Sequence, residues 1–364
     1  MKILGLSSDK KIFEEGSSVA SRQIKYGELT DRLDIVNLTL RSDNFEVKRL
    51  LDKVTVYPTR SCCKFFYFWD AYKLARKLER PDLVTVQDPF ETGFTALLIA
   101  RYFKCPLQIQ IHTDFLSPYY TKESLKNKIR ILISRFVLPR AGCVRVVSER
   151  IKKSIQEKMP RVKSPVTVLP IFVDTEKFKV GVAERDLRKK YPQFKIILLM
   201  ATRLTKEKNI ILAISAMEKV AEKHPDVGLV IVGDGPERAN LTQSKNVILE
   251  SWNNNLISYY KTADLFLNTS DYEGYGMAPV EALASGLPVL MTDVGIAGDI
   301  VKNRVNGLVI PVNDRTALEN AICEFIEDEK LQQTITAGAK ETKIEGDEAT
   351  YLSKYKKCWD NCRS

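Results

Sequence analysis

Asp271-Tyr272-Glu273-Gly274-Tyr275-Gly276-Met277-Ala278-Pro279-Val280-Glu281-Ala282-Leu283-Ala284-Ser285-Gly286 follows a short apolar run at residues 264–268. Two glycines permit close backbone approach, and Met277 to Ala284 is a good helix former with Pro279 in its first turn. The stretch therefore predicts strand, glycine loop and helix in succession. The same succession stands at two more places. Residues 195–201 run into Thr202-Arg203-Leu204-Thr205-Lys206-Glu207-Lys208-Asn209, and residues 228–233 run into Asp234-Gly235-Pro236-Glu237.

Working outward, apolar runs recur at 2–6, 34–40, 54–57, 83–87, 107–112, 143–148 and 166–169. They continue at 247–250, 288–292 and 307–310, with helical patterns between them. Short, continuously apolar strands suit a parallel sheet covered on both faces, and their alternation with helices gives βαβ units. The 364 residues exceed one ordinary core. The expectation is two Rossmann-like, doubly wound α/β domains: residues 1–172, residues 173–346, and a C-terminal helix at 347–364 that seeks another surface, the first domain being one choice. The boundary is placed at Leu169-Pro170-Ile171-Phe172-Val173-Asp174, where a strand ends at a proline.

In such sheets ligands sit beyond the carboxyl ends of the strands. The free N–H groups opening the helix at Met277 can receive an anion such as a diphosphate. Glu273 in the loop and Glu281 one turn into the helix are eight residues apart and can aim at one ligand. Carboxylates suit sugar and ribose hydroxyls, which donate hydrogen bonds. The plainer reading is a glycine-rich turn with Glu281 as a charge placed near the helix start. Arg203 offers a planar fork to phosphate and Lys208 a point charge; the plainer reading there is a solvated loop. Gly-x-Gly at 233–235 is weak evidence by itself.

Together these segments resemble the retaining glycosyltransferases of family 4, which have the two-domain B-type fold. The resemblance rests on Glu273 and Glu281 as a Glu-x7-Glu signature followed by Ala-Ser-Gly-Leu-Pro-Val. It extends to Ala201-Thr202-Arg203-Leu204 with Lys208, and to residues 230–237. It implies two domains facing a cleft. It also implies that Arg203 and Lys208 bind the donor diphosphate, Glu273 the donor sugar and Glu281 the ribose. The backbone of Gly274, Tyr275, Gly276 and Met277 would hold sugar and phosphate oxygens. Gln110-Ile111-His112-Thr113-Asp114-Phe115 matches the family's histidine beside the donor sugar, so the resemblance adds His112 to Glu273, Arg203 and Lys208 as catalytic candidates; a lone histidine is also often structural. Gly16 occupies the family's first glycine-rich loop, of which it is the remaining glycine, and Ile171-Phe172 replaces the usual Asn-Gly of the interdomain motif. Ser251-Trp252-Asn253-Asn254-Asn255 stands where a base would bind, without the common glycine, and leaves a UDP-sugar or a GDP-sugar as donor.

Seven cysteines, at 62, 63, 105, 143, 323, 358 and 362, have no zinc-site spacing; neither a disulfide framework nor a bound metal or cofactor is expected. The N-terminus lacks a signal-peptide pattern and no apolar run reaches the ~20 residues of a membrane span, so a cytoplasmic location is expected. The net charge of +10 is uneven: residues 1–180 hold 33 basic against 20 acidic residues, and residues 181–364 hold 23 against 26. The basic half implies an anionic partner. Residues 122–140 and 60–80 interleave Lys and Arg with apolar and aromatic residues. They read either as core helices with solvated charges or as basic amphipathic helices lying on the inner face of a membrane. The expected reaction is therefore transfer of a sugar to a glycan, lipid-linked or glycolipid acceptor in cell-envelope glycan synthesis. A nucleotide-sugar epimerase and a non-catalytic anionic-polymer binder are the rival readings. Two histidines are few for the first, and no nucleic-acid motif supports the second.

Overall fold

The structure is a computed structural model that describes residues 1–253 and 255–363. It divides into two compact units: Met1–Pro170 with the C-terminal stretch from Glu348, and Ile171–Asp347. Each is an α/β unit built on a parallel sheet.

The first unit carries eight strands: β1 (Lys2–Ser7), β2 (Arg32–Asn37), β3 (Lys48–Leu51), β4 (Val54–Pro58), β5 (Leu83–Val86), β6 (Leu107–Ile111), β7 (Cys143–Val146) and β8 (Val166–Val168). Their order is β3-β4-β2-β1-β5-β6-β7-β8. All pairs are parallel except β3 with β4. Strands β5, β6 and β7 are buried at every position, as a sheet covered on both faces requires. Strand β3, Lys-Arg-Leu-Leu, escapes the apolar-run reading because it is a charged edge strand with only one neighbour.

The C-terminal helix Glu348–Asp360 packs within this unit. Tyr355 stacks on Tyr26 with ring centroids 4.0 Å apart, and Trp359 meets Tyr355 edge-on at 4.9 Å. Cys362, just past the helix, forms a disulfide with Cys143 of β7. This bond departs from the expectation drawn from cysteine spacing. The two residues are 219 positions apart, and it takes the docked helix to bring them together.

The second unit carries β9 (Ile196–Ala201), β10 (Val227–Val232), β11 (Val247–Glu250), β12 (Leu265–Asn268), β13 (Val289–Thr292) and β14 (Gly307–Ile310). Their order is β11-β10-β9-β12-β13-β14, all parallel. The chain leaves β9 toward one edge through β10 and β11, then returns to place β12 on the other side of β9. The order therefore reverses between β9 and β12, and the loops that follow these two strands lie side by side at the carboxyl edge. Leu198, Leu229, Ile231 and Leu265 fill the core beneath them.

Candidate functional site

The reversal between β9 and β12 brings the two most polar loops of the second unit together. Three hydrogen bonds join them. The Asp271 N–H donates to the Glu207 carbonyl at 2.8 Å, and the Thr269 hydroxyl donates to the carbonyls of Lys208 and Asn209, each at 3.0 Å. The Asn209 side-chain amide adds a bond to Asp271 at 2.9 Å.

On this frame Lys208 and Glu273 form an ion pair through Glu273 Oε1, with side-chain exposures of only 15% and 14%. The Ser270 hydroxyl shares its one proton between the same oxygen at 2.9 Å and Asn268 Oδ1 at 2.6 Å. Oε2 of Glu273 has no partner among the described residues. A half-buried pair of this kind is partly desolvated, so each charge acts more strongly than it would on the surface. Arg203 does not join it. Its side chain is 77% exposed, and the ion pair it makes is with Glu207 at 3.8 Å.

The backbone around Glu273 is held by two glycines. Gly276 takes a φ of +97° immediately before the helix Met277–Ala284, a backbone conformation that favours glycine, and no side chain caps the helix start. Gly295, with a φ of +54°, lies under the loop: a Cβ there would stand 2.5 Å from the Tyr275 carbonyl oxygen and 3.0 Å from Glu273 Cβ. Gly274 and Tyr275 are buried, while Met277 is exposed.

Glu281 lies one turn into the same helix and is largely buried. Its carboxylate accepts from the Tyr260 hydroxyl at 2.8 Å. Burial pushes its carboxyl above the ordinary range, against the hydrogen bond from Tyr260 and the charge of Lys177. Tyr260 is a partner that sequence reading missed. It sits in the helix Leu256–Thr262 and carries no motif; only the fold shows that it anchors Glu281. Ser251 and Trp252 are both exposed after β11, and the Trp252 N–H donates to Asp234 at 2.8 Å. Asn254, part of the expected base-binding loop, lies outside the described residues.

His112 and Gly16 belong to the first unit. Gly16 precedes Ser17, whose hydroxyl caps the helix Ser18–Glu28 by accepting from the Ala20 N–H at 3.1 Å. His112 follows β6, and its Nε2 is buried without a partner among the described residues. Burial, helped by the charges of Arg145 and Arg22, pushes its pKa from 6.5 down to about 3. The imidazole is therefore neutral across the physiological range, able to donate or accept a hydrogen bond but not to act as a standing cation.

Between pH 6.5 and about 3 the unfolded chain binds a proton at His112 that the folded chain refuses. Stability is full above that window and falls as pH drops through it. His112→Gln is expected to flatten the fall in unfolding midpoint between these pH values, read by thermal unfolding against wild type. An identical pH slope in the two proteins would contradict the buried neutral histidine.

Next to it, a network that no sequence motif signals ties the C-terminal helix to the sheet. Arg145 of β7 donates to Gln110 Oε1 at 2.6 Å, to the carbonyls of Leu169 and Pro170 at 3.1 and 2.9 Å, and to the Tyr351 hydroxyl at 3.1 Å. Its guanidinium lies 4.8 Å from the Tyr355 ring centroid.

Comparison with known proteins decides the family. Residues 31–177 match the model of Glycosyltransferase Family 4, and residues 184–342 match that of Glycosyl transferases group 1. The chain belongs to the family 4 glycosyltransferases. A member of similar sequence is the UDP-Gal:alpha-D-GlcNAc-diphosphoundecaprenol alpha-1,3-galactosyltransferase of Escherichia coli, 30% identical over 179 residues, which are 46% of each chain. The chain spans about half the length of the curated relatives it matches, 46% and 59% for two of them. Two solved structures share the fold. One is sucrose-phosphate synthase from Thermosynechococcus elongatus, with TM-score 0.79, 18% identity, and 99% of this chain and 98% of that one covered. The other is Anabaena HepE in complex with UDP-glucose, with TM-score 0.75, 20% identity and 99% of both chains covered. Sequence identity this low establishes the shared B-type fold and nothing finer.

Proposed function

We propose that this chain is a retaining glycosyltransferase that transfers a sugar from a UDP-sugar to a hydroxyl of a lipid-linked glycan acceptor. The observation that carries the reading is the Lys208–Glu273 pair, set where the strand order reverses and next to the helix start at Met277. A cation, a carboxylate and the uncapped amides of a helix start thus belong to one loop system. Those are the groups that a sugar diphosphate needs.

In the proposed reaction the anomeric C1–O bond to the diphosphate breaks. A new C1–O bond to the acceptor hydroxyl forms on the same face, and the acceptor proton passes to the departing phosphate oxygen. Lys208, Arg203 and the amides opening the helix Met277–Ala284 stabilise the charge that develops on the diphosphate. Binding swings Arg203 in from solvent. Glu273 accepts from sugar hydroxyls through its free Oε2, and Glu281, held by Tyr260, accepts from ribose. The family resemblance adds His112, a neutral hydrogen-bonding group, to this set. No protein nucleophile is required.

UDP is favoured over GDP because the Escherichia coli relative carries UDP-Gal in its name and Anabaena HepE was solved with UDP-glucose. A diphosphoundecaprenol-linked acceptor is likewise named in that relative, and the basic first unit suits a bilayer that carries such an acceptor. Among the described residues no helix is long and apolar enough to cross a membrane.

Thermal unfolding in the presence of UDP-, GDP- and ADP-sugars tests the donor. Binding to the folded state alone adds about 2.7 kcal/mol at a hundredfold excess over Kd. A UDP-sugar is expected to raise the unfolding midpoint more than the others. If none of the three raises it, the donor site is refuted.

A further inference from the structure

The sequence left two readings for the basic stretches of the first unit, core helices or surface-seeking ones. The exposure of individual side chains separates them. In the helix Leu125–Val137 the inward face is Asn127, Ile131, Ser134 and Val137, all buried. The opposite face carries Leu125, Ile129, Leu132 and Phe136, spaced four, three and four residues apart. These are 72%, 52%, 63% and 42% exposed. The core thus takes one side of the helix, and an apolar stripe lies on the other. An apolar stripe left in water by a folded unit marks an interaction site.

A second exposed apolar group lies in the same layer. Phe65, Phe66, Phe68 and Trp69, on the turn and helix spanning residues 64–75, are all exposed. This helix packs on the helix Glu91–Phe103, which in turn packs on Leu125–Val137. The aromatic contacts run across these joints: Tyr72 lies 6.2 Å from Tyr102, and Phe94 lies 6.1 Å from Phe136. Most of the exposed large apolar side chains of the described chain belong to this one layer.

Its charge selects the partner. Residues 122–140 carry Lys122, Lys126, Lys128, Arg130, Arg135 and Arg140 against the single acid Glu123. All of those cations except Arg130, which pairs with Glu91 at 3.1 Å, are exposed. Lys64, Lys73, Arg76 and Lys77 stand beside the aromatic group and are also exposed. Apolar side chains flanked by exposed cations that pair with no acid among the described residues fit an anionic lipid surface, where the apolar stripe enters the acyl boundary and the cations meet phosphate headgroups. A second copy of the chain would instead set these cations against one another. Aromatic side chains such as Trp69 prefer the headgroup level.

We infer that the layer formed by the helices Tyr67–Ala75 and Leu125–Val137 is a docking face for anionic lipid bilayers, with Leu125, Ile129, Leu132 and Phe136 as its inserting stripe. The inference deepens the lipid-linked acceptor reading by naming the surface that meets the membrane. The two fail separately.

The test is flotation of the full chain with phosphatidylcholine vesicles, with or without phosphatidylglycerol, at low and high salt. Wild type is expected to float with the anionic vesicles, to float less as salt rises, and to stay behind with neutral ones. The double variant Ile129→Glu and Leu132→Glu replaces two exposed side chains. It is expected to bind anionic vesicles at least about tenfold more weakly, with an unchanged unfolding midpoint. A variant with Lys126, Lys128 and Arg135 changed to Ser is expected to lose the preference for phosphatidylglycerol. Flotation of the Glu variant equal to wild type overturns the docking face, as does a wild type that stays behind at low salt or forms a dimer through this face. Transfer to a detergent-dispersed lipid-linked acceptor reads the other claim. Wild-type flotation without such transfer refutes the acceptor and leaves the docking face standing.

Discussion

Lys208→Ala is expected to lower kcat by about 10²–10³-fold, the usual range when a preorganised group facing developing charge is lost from an active site. Lys208 is held by Glu273 in the free protein, at 15% exposure, on a loop bonded to its neighbour through Thr269 and Asp271. Its ammonium therefore needs little reorganisation to meet a diphosphate. The effect should fall mainly on kcat rather than KM, because the diphosphate gains its charge as the sugar departs. Glu273→Gln is the companion. It removes the carboxylate that pairs with Lys208 but keeps an acceptor for sugar hydroxyls, so a smaller loss is expected. Release of UDP measured at saturating donor gives kcat directly. A Lys208→Ala enzyme turning over within about threefold of wild type would refute the assignment of this lysine to the leaving group.

Arg145→Met is expected to destabilise the first unit by roughly 3 kcal/mol, while leaving donor binding by the second unit intact. The substitution keeps an unbranched stem but removes the guanidinium that donates to Gln110, two main-chain carbonyls and Tyr351, leaving Gln110 Oε1 only the Tyr355 hydroxyl as a donor. Buried acceptors then lose their partners, at a cost of about 1–3 kcal/mol each before relaxation. Arg145→Lys should recover only part of the loss, since an ammonium cannot reproduce the planar fork. Urea unfolding followed by tryptophan fluorescence reads this well. Trp359 is 1% exposed on the C-terminal helix, whereas Trp69 and Trp252 are already 47% and 49% exposed. The Cys143–Cys362 disulfide is kept intact, so that the helix stays tethered in both proteins. An unchanged first transition would mean that the network contributes nothing to holding the helix.

These two residues differ in how they could be found. Lys208 stands in a polar loop after an apolar strand, and sequence position alone nominates it. Arg145 sits inside Cys143-Val144-Arg145-Val146, which reads as one more buried strand with an awkward charge in it. Nothing local says that its partners come from β6, the end of β8 and a helix some 200 positions away. The same holds for Tyr260, whose hydroxyl finds Glu281 only once the helix Leu256–Thr262 is packed. Strand β3 was missed for a related reason: an edge strand need not be apolar, so its pattern carries little signal.

Fold class and family are legible in the amino-acid sequence alone. Continuous apolar strands alternating with helices admit few arrangements other than a covered parallel sheet, and glycine loops after strands mark the carboxyl edge. Such information is local, carried by residues a few positions apart. Around Asp271–Gly286 it extended to a list of polar groups but not to their pairing. Only the tertiary structure decided that Lys208 meets Glu273 while Arg203 stays in solvent, that Cys143 bonds Cys362, and that the helix Leu125–Val137 leaves an apolar stripe exposed. The reason is physical. Each of these depends on which surface a distant element covers, and burial, ion pairing and exposure are properties of the packed chain rather than of any one segment.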